Sequence, residues 1–389
     1  MKMVYLDNNA TTRVRPEVVE AMTPFYGRIY GNASSIHSFG REARKHLEEA
    51  RGKVAALIKA GSAEEIIFTS GGTESDNLAI KGTVVALGDK GRHIITSSVE
   101  HLAVLNTCKY LEKQGCRVTY LGVDKYGIID LDELRDSIGG DTILISIMAA
   151  NNETGTIMPT EEIGAIATEK GVVFHTDAAQ FIGKIPFDVK KSGAHLVTMS
   201  AHKINGPKGI GALYIKKGTA IRSCMQGGHH ERALRPGTEN VPAIVGFGKV
   251  CEIAAEKGIA EYAEVKKLRD MLHDRISDKI KHTRLNGHPE KRTPNTVNIS
   301  FDYLEGESVI LSLDLEGIAV STGSACTSGS LQASHVLMSM GVEPVFAQGS
   351  VRFSLGIFNT EEDIDYVMEK LLPVIERLRK MSPLYKEEE

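Results

Sequence analysis

The chain has 389 residues, of which 42% are hydrophobic and 25% are charged. These fractions are ordinary for a soluble globular protein, and they exclude a mostly disordered chain, a collagen-like chain and a disulfide-stapled miniprotein. The formal net charge of −4 argues against a general nucleic-acid binder, because such proteins are usually basic.

The sequence also lacks the usual signals of membrane insertion and secretion. No apolar run approaches the roughly 20 residues that span a bilayer, and Asp7 comes too early for the apolar region of a signal peptide. The five cysteines form no CxxC pair and are odd in number, which fits reduced thiols better than a disulfide framework. These features predict a cytoplasmic protein with no membrane or nucleic-acid partner.

Short β-branched runs alternate with helical patterns between residues 64 and 215. Most of these runs are apolar throughout, which is typical of strands buried on both faces of a mainly parallel sheet. The last run follows its predecessor too closely for a helical crossover, so we expect it to be antiparallel. The seven predicted strands are residues 66–69, 93–97, 117–121, 143–148, 172–176, 195–199 and 210–215. They predict a large α/β domain over residues 15–256.

The pattern changes after residue 256. Apolar residues spaced three and four apart from Ile259 to Ile280 predict one long amphipathic helix. Apolar and polar residues alternate at 297–301 and 351–355, which predicts two strands with one face in water. Thr360 precedes three acidic residues and predicts the start of a last helix. We therefore expect a smaller α+β domain over residues 257–389, joined by residues 1–14.

Polar residues collect where the candidate strands end, which is where open α/β sheets bind ligands. The segment from Ser70 to Thr73 leads from a strand into a helical pattern, so its backbone N–H groups could bind a phosphate. An ordinary strand–turn–helix connection would give the same pattern. Asp177 directly follows another strand, where its carboxylate could hold a cationic ring nitrogen or simply cap a helix.

Basic residues near two other strand ends are further candidates. Lys203 lies in Ser-Ala-His-Lys-Ile-Asn-Gly-Pro, where burial would favour a neutral amine that forms a Schiff base, although most lysines are merely exposed. Lys208, five positions further along, provides a comparison for Lys203. His101 could stack on an aromatic cofactor and move protons, or be an ordinary hydrogen-bonded histidine. His229 and His230 suggest a metal, but no matching ligands occur at a known spacing.

Cys326 is the one cysteine in a run of small polar residues, and we define residues 321–332 as the cysteine loop. Small residues cannot build a core, so we expect this loop to be mobile and exposed. A thiol in such a loop is placed to react rather than to pack, unless it is a bystander. The other four cysteines lie in helix-like or strand-flanking contexts and are expected to be structural.

Taken together, these segments resemble the NifS/IscS family of cysteine desulfurases, within the class-V aminotransferase-like, fold-type I pyridoxal-phosphate enzymes. The resemblance runs from residues 5–12 and 31–37 to residues 352–356. Its most specific part is the ordered string Ser-Gly-x-Thr-Glu, Asn-Asn-Glu, Asp-x-x-Gln, Ser-x-His-Lys and Gly-Ser-Ala-Cys. Two positions depart from the family pattern: Gly72 stands where alanine is commoner, and Pro236 stands where many relatives have serine. The implied fold is α/β, a large domain with a mainly parallel seven-stranded sheet plus a smaller α+β domain.

The resemblance implies how the cofactor pyridoxal 5'-phosphate would be held. Lys203 would bind it covalently, Asp177 would pair with its pyridine nitrogen, and His101 would stack on its ring. Gln180 and Asn152 would lie near the ring hydroxyl. The implied phosphate contacts are Gly72, Thr73, Ser200, His202 and, from the second subunit of a homodimer with shared active sites, Thr238.

The resemblance also implies a substrate and an acceptor. Arg352, with Asn152 beside it, would hold the carboxylate of L-cysteine, and Arg222 is a candidate for a second arginine. The Cys326 thiolate would take the substrate sulfur as a persulfide and leave L-alanine. The expected sulfur acceptor is an iron–sulfur scaffold protein, and Cys326 could also ligate a cluster iron through its persulfide.

Other interpretations stay open on the sequence. An aminotransferase of the serine–pyruvate kind or a selenocysteine lyase would share the cofactor motifs. A non-catalytic sulfur carrier would not need Lys203, Asp177 and His101 intact. A thiol hydrolase using Cys326 and a histidine would need no cofactor. Nor does the sequence separate general iron–sulfur assembly from tRNA thiolation or a nitrogenase pathway.

Overall fold

The computed structural model describes residues 2–322 and 333–385, and a seven-stranded sheet forms its centre. The strands are, in chain order, β1 (Val4–Tyr5), β2 (Ile66–Thr69), β3 (His93–Ser97), β4 (Arg117–Leu121), β5 (Thr142–Ser146), β6 (Val173–Asp177), β7 (Leu196–Ser200), β8 (Gly211–Ile215), β9 (Thr283–Asn286), β10 (Thr296–Phe301), β11 (Ile318–Ala319) and β12 (Ser350–Ser354). The seven predicted strands of the large sheet are confirmed, with their ends shifted by at most two residues.

The order of the large sheet is β2-β8-β7-β6-β5-β3-β4. As predicted, β8 runs antiparallel to both of its neighbours, and the other neighbouring pairs are parallel. Because β2 and β7 flank β8 on opposite sides, they share one direction with the remaining strands. Six strands therefore end at the same edge of the sheet, and the polar segments that follow them meet there.

Helices cover the large sheet, and others pack with the smaller sheets. They are α1 (Pro16–Met22), α2 (Ser38–Leu57), α3 (Gly72–Leu87), α4 (Leu102–Glu112), α5 (Leu131–Ser137), α6 (Thr160–Lys170), α7 (Val189–Ser192), α8 (Val241–Ile253), α9 (Ile259–Lys279), α10 (Gly306–Leu315), α11 (His335–Ser339), α12 (Pro344–Gln348) and α13 (Glu361–Met381). Leu47 of α2, Phe247 of α8 and Phe174 of β6 belong to one buried apolar cluster. Within residues 2–322 and 333–385, every helix is too short or too polar to pass through a lipid bilayer.

A second apolar cluster brings the two ends of the chain together. Val4 and Leu6 pack in it with residues of α9, β10, β12 and α13. β1 pairs in parallel with β11, and a three-stranded antiparallel sheet has the order β12-β10-β9. The predicted long helix is α9, and Thr360 forms the predicted cap of α13 through a capping box with Asp363. The domain boundary after residue 256 falls within a π-helical segment, Ala254–Gly258, and stays a prediction.

The prediction that β10 and β12 each have one face in water is wrong, since every residue of both strands is buried. Their polar side chains bond to other groups of the protein instead. Asn298 Nδ2 donates to the carbonyl oxygen of Glu153 at 3.3 Å, and Arg352 Nη2 lies 2.8 Å from Asp7 Oδ1. The alternation therefore indicated a polar interface with the loops of the large sheet, which a periodic pattern alone does not distinguish from a wet face.

Candidate active site

A cavity of about 390 Å³ lies at the edge where the parallel strands end. Ten of the twelve predicted site residues line it: Gly72, Thr73, His101, Asn152, Asp177, Gln180, Ser200, His202, Lys203 and Arg352. Thr238 is exposed and does not line this cavity. Cys326 lies outside the described residues. These ten residues come from six separate segments of the sequence, five at strand ends of the large sheet and one, Arg352, within β12.

The first turn of α3 forms one end of the cavity. A helix leaves the backbone N–H groups of its first turn without partners inside the helix, so Gly72 and Thr73 present donors that suit an anion. A second opening of about 360 Å³ shares Gly72, Thr73, Ser200 and His202 with the cavity and reaches Lys208. A Cβ atom added at Gly72 would have its nearest contacts at 3.7 Å. The space around this position would therefore also admit the alanine that is commoner in the family.

His202 is held as a neutral ring at this end. Burial, and then the positive charge of Lys203, lower the pKa of His202 to about 4. Its Nδ1 lies 3.1 Å from Thr11 Oγ1. A neutral imidazole can donate one N–H without adding charge to the anion-binding end.

Asp177 is the last residue of β6, and His101 lies in the turn after β3. Asp177 is buried, and its Oδ1 accepts a hydrogen bond of 2.9 Å from the N–H of Ala179. Burial raises the pKa of Asp177, while His101, the Ala179 N–H and Lys203 oppose that shift. His101 Nδ1 accepts from the N–H of Ala103 at 3.1 Å and so caps α4. That bond assigns the ring proton of neutral His101 to Nε2.

Burial is also the largest influence on His101 and lowers its pKa. His101 is thus hydrogen-bonded through one ring nitrogen and also lines the cavity, because each ring nitrogen has a separate task. The Nδ1 atom fixes the ring, and the Nε2 atom is left to exchange protons with a bound molecule.

Lys203 lies in a 3₁₀ turn directly after β7. Its Nζ donates to the backbone carbonyl oxygens of Asn9 at 2.6 Å and Ala10 at 3.0 Å. Lys208, five positions on, is exposed and reaches only the outer opening. The comparison therefore distinguishes the two lysines, since Lys203 alone of the pair lines the inner cavity.

Arg352 reaches the cavity from β12. Its neighbours Val351 and Phe353 face the apolar cluster, as the alternation predicted. Arg352 Nη1 donates to the carbonyl oxygen of Asn152 at 2.9 Å, and Nη2 pairs with Asp7. Its Nε is buried without a hydrogen-bond partner among the residues that the structure describes. A buried guanidinium with a spare donor suits a carboxylate ligand.

Four further residues around the cavity were not predicted as site residues. The carbonyl oxygen of Asn9 accepts from both Lys203 and Gln180. Lys184 is buried and donates to Gln180. Asp76 and Glu100 are buried carboxyls whose pKa values are raised by burial, that of Glu100 to about 8. The motif at residues 5–12 was a signal for Asn9. The other three residues were missed because charged residues beside helical patterns are usually exposed to solvent.

No metal centre is found in the described part of the chain. Residues 2–322 and 333–385 contain no group of three or more His, Cys, Asp or Glu side chains that could hold an ion. His229 and His230 therefore have no further candidate metal ligand among the described residues. The predicted iron ligand Cys326 lies beyond these residues.

Comparison with known proteins identifies the family. The sequence profile described as Aminotransferase class-V matches residues 4–367. The chain belongs to the class-V aminotransferase family. Curated relatives that match almost the whole chain at about half identity are named cysteine desulfurases, which confirms the predicted resemblance. Cysteine desulfurase IscS of Dictyoglomus turgidum is 53% identical over 385 residues, covering 99% of this chain and 97% of that protein. Cysteine desulfurase IscS of Methanosarcina thermophila is 54% identical over 383 residues, covering 98% and 94%.

Solved structures of class-V aminotransferase relatives confirm the predicted fold-type I architecture. A NifS-like protein superposes with a TM-score of 0.91 at 42% identity, covering 97% of this chain and all of that one. The structure titled SspA in complex with cysteine gives a TM-score of 0.81 at 34% identity, covering 92% and 100%. The similarity thus spans both the large sheet and the smaller part of the chain.

Proposed function

We propose that this chain is a pyridoxal-phosphate-dependent cysteine desulfurase. It takes sulfur from L-cysteine, releases L-alanine and carries the sulfur as a persulfide on Cys326. The observation that carries the proposal is the single cavity in which Lys203, Asp177 and the first turn of α3 face a common space. Arg352 lies at the same cavity and provides for the substrate carboxylate.

The groups that line the cavity fit the cofactor at three separate points. The first-turn N–H groups of α3 suit its phosphate, and the buried Asp177 carboxyl suits a protonated ring nitrogen. The Lys203 amine suits its aldehyde. Between these groups the wall includes Met148, Ala150 and Ala179, which give an aromatic ring an apolar surface. A general anion site would need only the first of these features.

Bound there, the cofactor would supply an electron-withdrawing ring that makes the substrate Cα proton acidic. Lys203 Nζ would move that proton, and the carbonyl oxygens of Asn9 and Ala10 hold this amine at the cavity wall. His101 would exchange a proton through Nε2 with the substrate sulfur or with the attacking thiol. Arg352 would bind the substrate carboxylate through its spare Nε donor.

Two anchors of the cysteine loop support the role of Cys326. Ser321 exchanges backbone hydrogen bonds of 3.2 Å and 2.7 Å with Arg352. Ser334 Oγ donates to the buried carboxylate of Glu153, next to Asn152. Cys326 follows Ser321 by only five positions in the sequence.

The proposed sulfur transfer balances without an outside oxidant. The Cys326 thiolate attacks the substrate sulfur, an S–S bond forms, and the bond between that sulfur and the substrate Cβ breaks. The electron pair of the broken bond remains with Cβ, which gains a proton to give L-alanine. L-cysteine and one thiol thus become L-alanine and one persulfide.

The assembly and the acceptor belong to the same proposal. We propose a homodimer in which exposed Thr238 contributes to the phosphate site of the second subunit. The second opening, which Thr73 also lines, leaves room for such a contact. We also propose an iron–sulfur scaffold protein as sulfur acceptor, since relatives of about half identity are named IscS.

The purified protein, loaded with pyridoxal phosphate, tests this function. On addition of L-cysteine and a reducing thiol, we expect equal amounts of L-alanine and sulfide. An active protein that needs no pyridoxal phosphate would favour a thiol hydrolase, and amino transfer from L-alanine to an α-keto acid would favour an aminotransferase. A loaded protein that forms no L-alanine from L-cysteine would contradict the proposal.

A further inference from the structure

Lys184 is an unusual lysine, because it is 97% buried behind the wall of the active-site cavity. No carboxylate among the described residues lies within 4.0 Å of its nitrogen, so it makes no ion pair there. Its Nζ donates to Gln180 Oε1 at 2.7 Å and lies 3.5 Å from Asn9 Oδ1. Burial, followed by the positive charges of Lys203 and Arg352, holds the pKa of Lys184 well below its usual value.

These contacts fix the orientation of the Gln180 amide. Its Oε1 faces the Lys184 amine, and its Nε2 donates to the carbonyl oxygen of Asn9 at 2.9 Å. Rotating the amide by 180° would place Nε2 against an amine donor and Oε1 against a carbonyl acceptor. Both of the present hydrogen bonds would be lost, and Oε1 would face the Asn9 carbonyl oxygen, a repulsive contact between two acceptors that is costly in a buried site.

The Asn9 side chain is fixed in turn. Its Oδ1 accepts from Asn295 Nδ2 at 2.9 Å, and its Nδ2 donates to Thr296 Oγ1 at 2.8 Å. Lys184 therefore meets two acceptor oxygens that belong to rigidly held amides. One N–H of Gln180 Nε2 remains, and Gln180 lines the cavity.

We propose that Lys184 is a positioning residue that commits Gln180 to donate its remaining N–H to the ring hydroxyl oxygen of bound pyridoxal phosphate. This inference rests on the proposed function. Lys184 does not touch the cofactor in this account, because it acts through the amide of Gln180. The expected signature is a loss of affinity that depends on the ring oxygen and not on the rest of the ligand.

The test measures binding of pyridoxamine 5'-phosphate, whose amine cannot bond covalently to Lys203, and of its analogue with hydrogen in place of the ring hydroxyl. The full-length protein without cofactor is compared with Lys184→Met, Gln180→Leu and the double variant. We expect Lys184→Met to weaken the first ligand about 5- to 10-fold, as for one lost hydrogen bond, and the analogue less than twofold. In the Gln180→Leu background, Lys184→Met should change neither affinity.

Equal weakening of both ligands by Lys184→Met, or no weakening of either, would overturn the proposal. If the Lys184→Met variant does not fold, Lys184→Leu takes its place. The expected difference in weakening between the two ligands is the same. Lys184→Arg, which keeps N–H donors, should restore the preference for the ring hydroxyl. If the unmodified protein binds neither ligand, the proposed function fails instead.

Discussion

Gly211 passes so close to Gly71 that a Cβ atom on Gly211 would lie 2.7 Å from the Gly71 carbonyl carbon. The same Cβ would lie 2.7 Å from the carbonyl oxygen of Met199. Gly211 begins β8, and Gly71 is the residue before α3. The antiparallel strand thus supports the turn that aims the first N–H groups of α3 into the cavity.

Substituting Gly211 tests this support. Gly211→Ala must displace backbone rather than a flexible side chain, so we expect it to lower the free energy of unfolding by about 1–3 kcal/mol. Because the displaced turn carries the anion donors, affinity for pyridoxamine 5'-phosphate should fall about 10-fold or more, equivalent to about 1.4 kcal/mol. Gly72→Ala is the matched control, since its added Cβ has only ordinary contacts at 3.7 Å. Equal losses of unfolding free energy in the two variants, measured by calorimetry, would contradict this role of Gly211.

Glu100 predicts a specific pH dependence of stability. Its pKa is raised from 4.5 to about 8, chiefly by burial, so the folded protein keeps a proton that the unfolded chain has lost between these pH values. The stability due to this proton is complete below pH 4.5 and is lost as the pH rises toward 8. Glu100 Oε1 accepts from Ser97 Oγ and from the Met148 N–H, and a glutamine oxygen can keep both bonds.

Glu100→Gln should therefore gain stability over the unmodified protein as the pH rises, by at most about 1.4 kcal/mol per pH unit. Denaturant unfolding from pH 4.5 to 8 measures this difference. Glu64→Gln, at an exposed carboxylate, should show a constant difference across the same interval. A constant difference for Glu100→Gln as well would show that Glu100 does not hold its proton in the folded state.

Arg352→Lys tests the carboxylate-binding role. One amine cannot bond in a plane to Asp7, to the Asn152 carbonyl oxygen and to a substrate carboxylate. We expect kcat/KM for L-cysteine to fall about 10- to 100-fold, as for a lost charged hydrogen bond, mainly through KM. The absorbance of the bound cofactor should not change. A normal KM with a changed cofactor spectrum would assign Arg352 to the cofactor instead.

Cys326→Ser tests the sulfur-accepting thiol. The variant should bind pyridoxal phosphate with an unchanged spectrum, yet form no L-alanine from L-cysteine, because serine cannot accept sulfur. Cys224→Ser is the control, since Cys224 is an exposed cysteine that does not line the cavity. Full L-alanine formation by Cys326→Ser, or its loss in Cys224→Ser, would reject the assignment.

The large sheet could be predicted because its signals are local. Its strands are short apolar runs, and the close approach of 210–215 to the preceding run required an antiparallel strand. The cavity residues Asp177 and Lys203 could be predicted for a related reason, since Asp177 ends β6, Lys203 lies in the turn after β7, and all six parallel strands end at one edge. The direction of the strands thus carried the site prediction.

The polar interior could not be predicted in the same way. The alternation around Arg352 and Asn298 indicates an apolar face, but only the folded chain determines whether the polar face meets water or Glu153. Lys184 and Glu100 likewise carry charges in sequence, and their burial depends on distant segments such as residues 9 and 148. Patterns of a few residues hold no information about partners that far away.

Borohydride reduction of the protein loaded with pyridoxal phosphate shows directly whether Lys203 is the lysine bonded to the cofactor. Reduction makes the bond between a lysine and the cofactor permanent, and peptide mass spectrometry then locates the modified residue. We expect the added mass on Lys203 and none on Lys184 or Lys208. Modification of Lys184 or Lys208 instead, or no modified lysine at all in the loaded protein, would contradict this assignment.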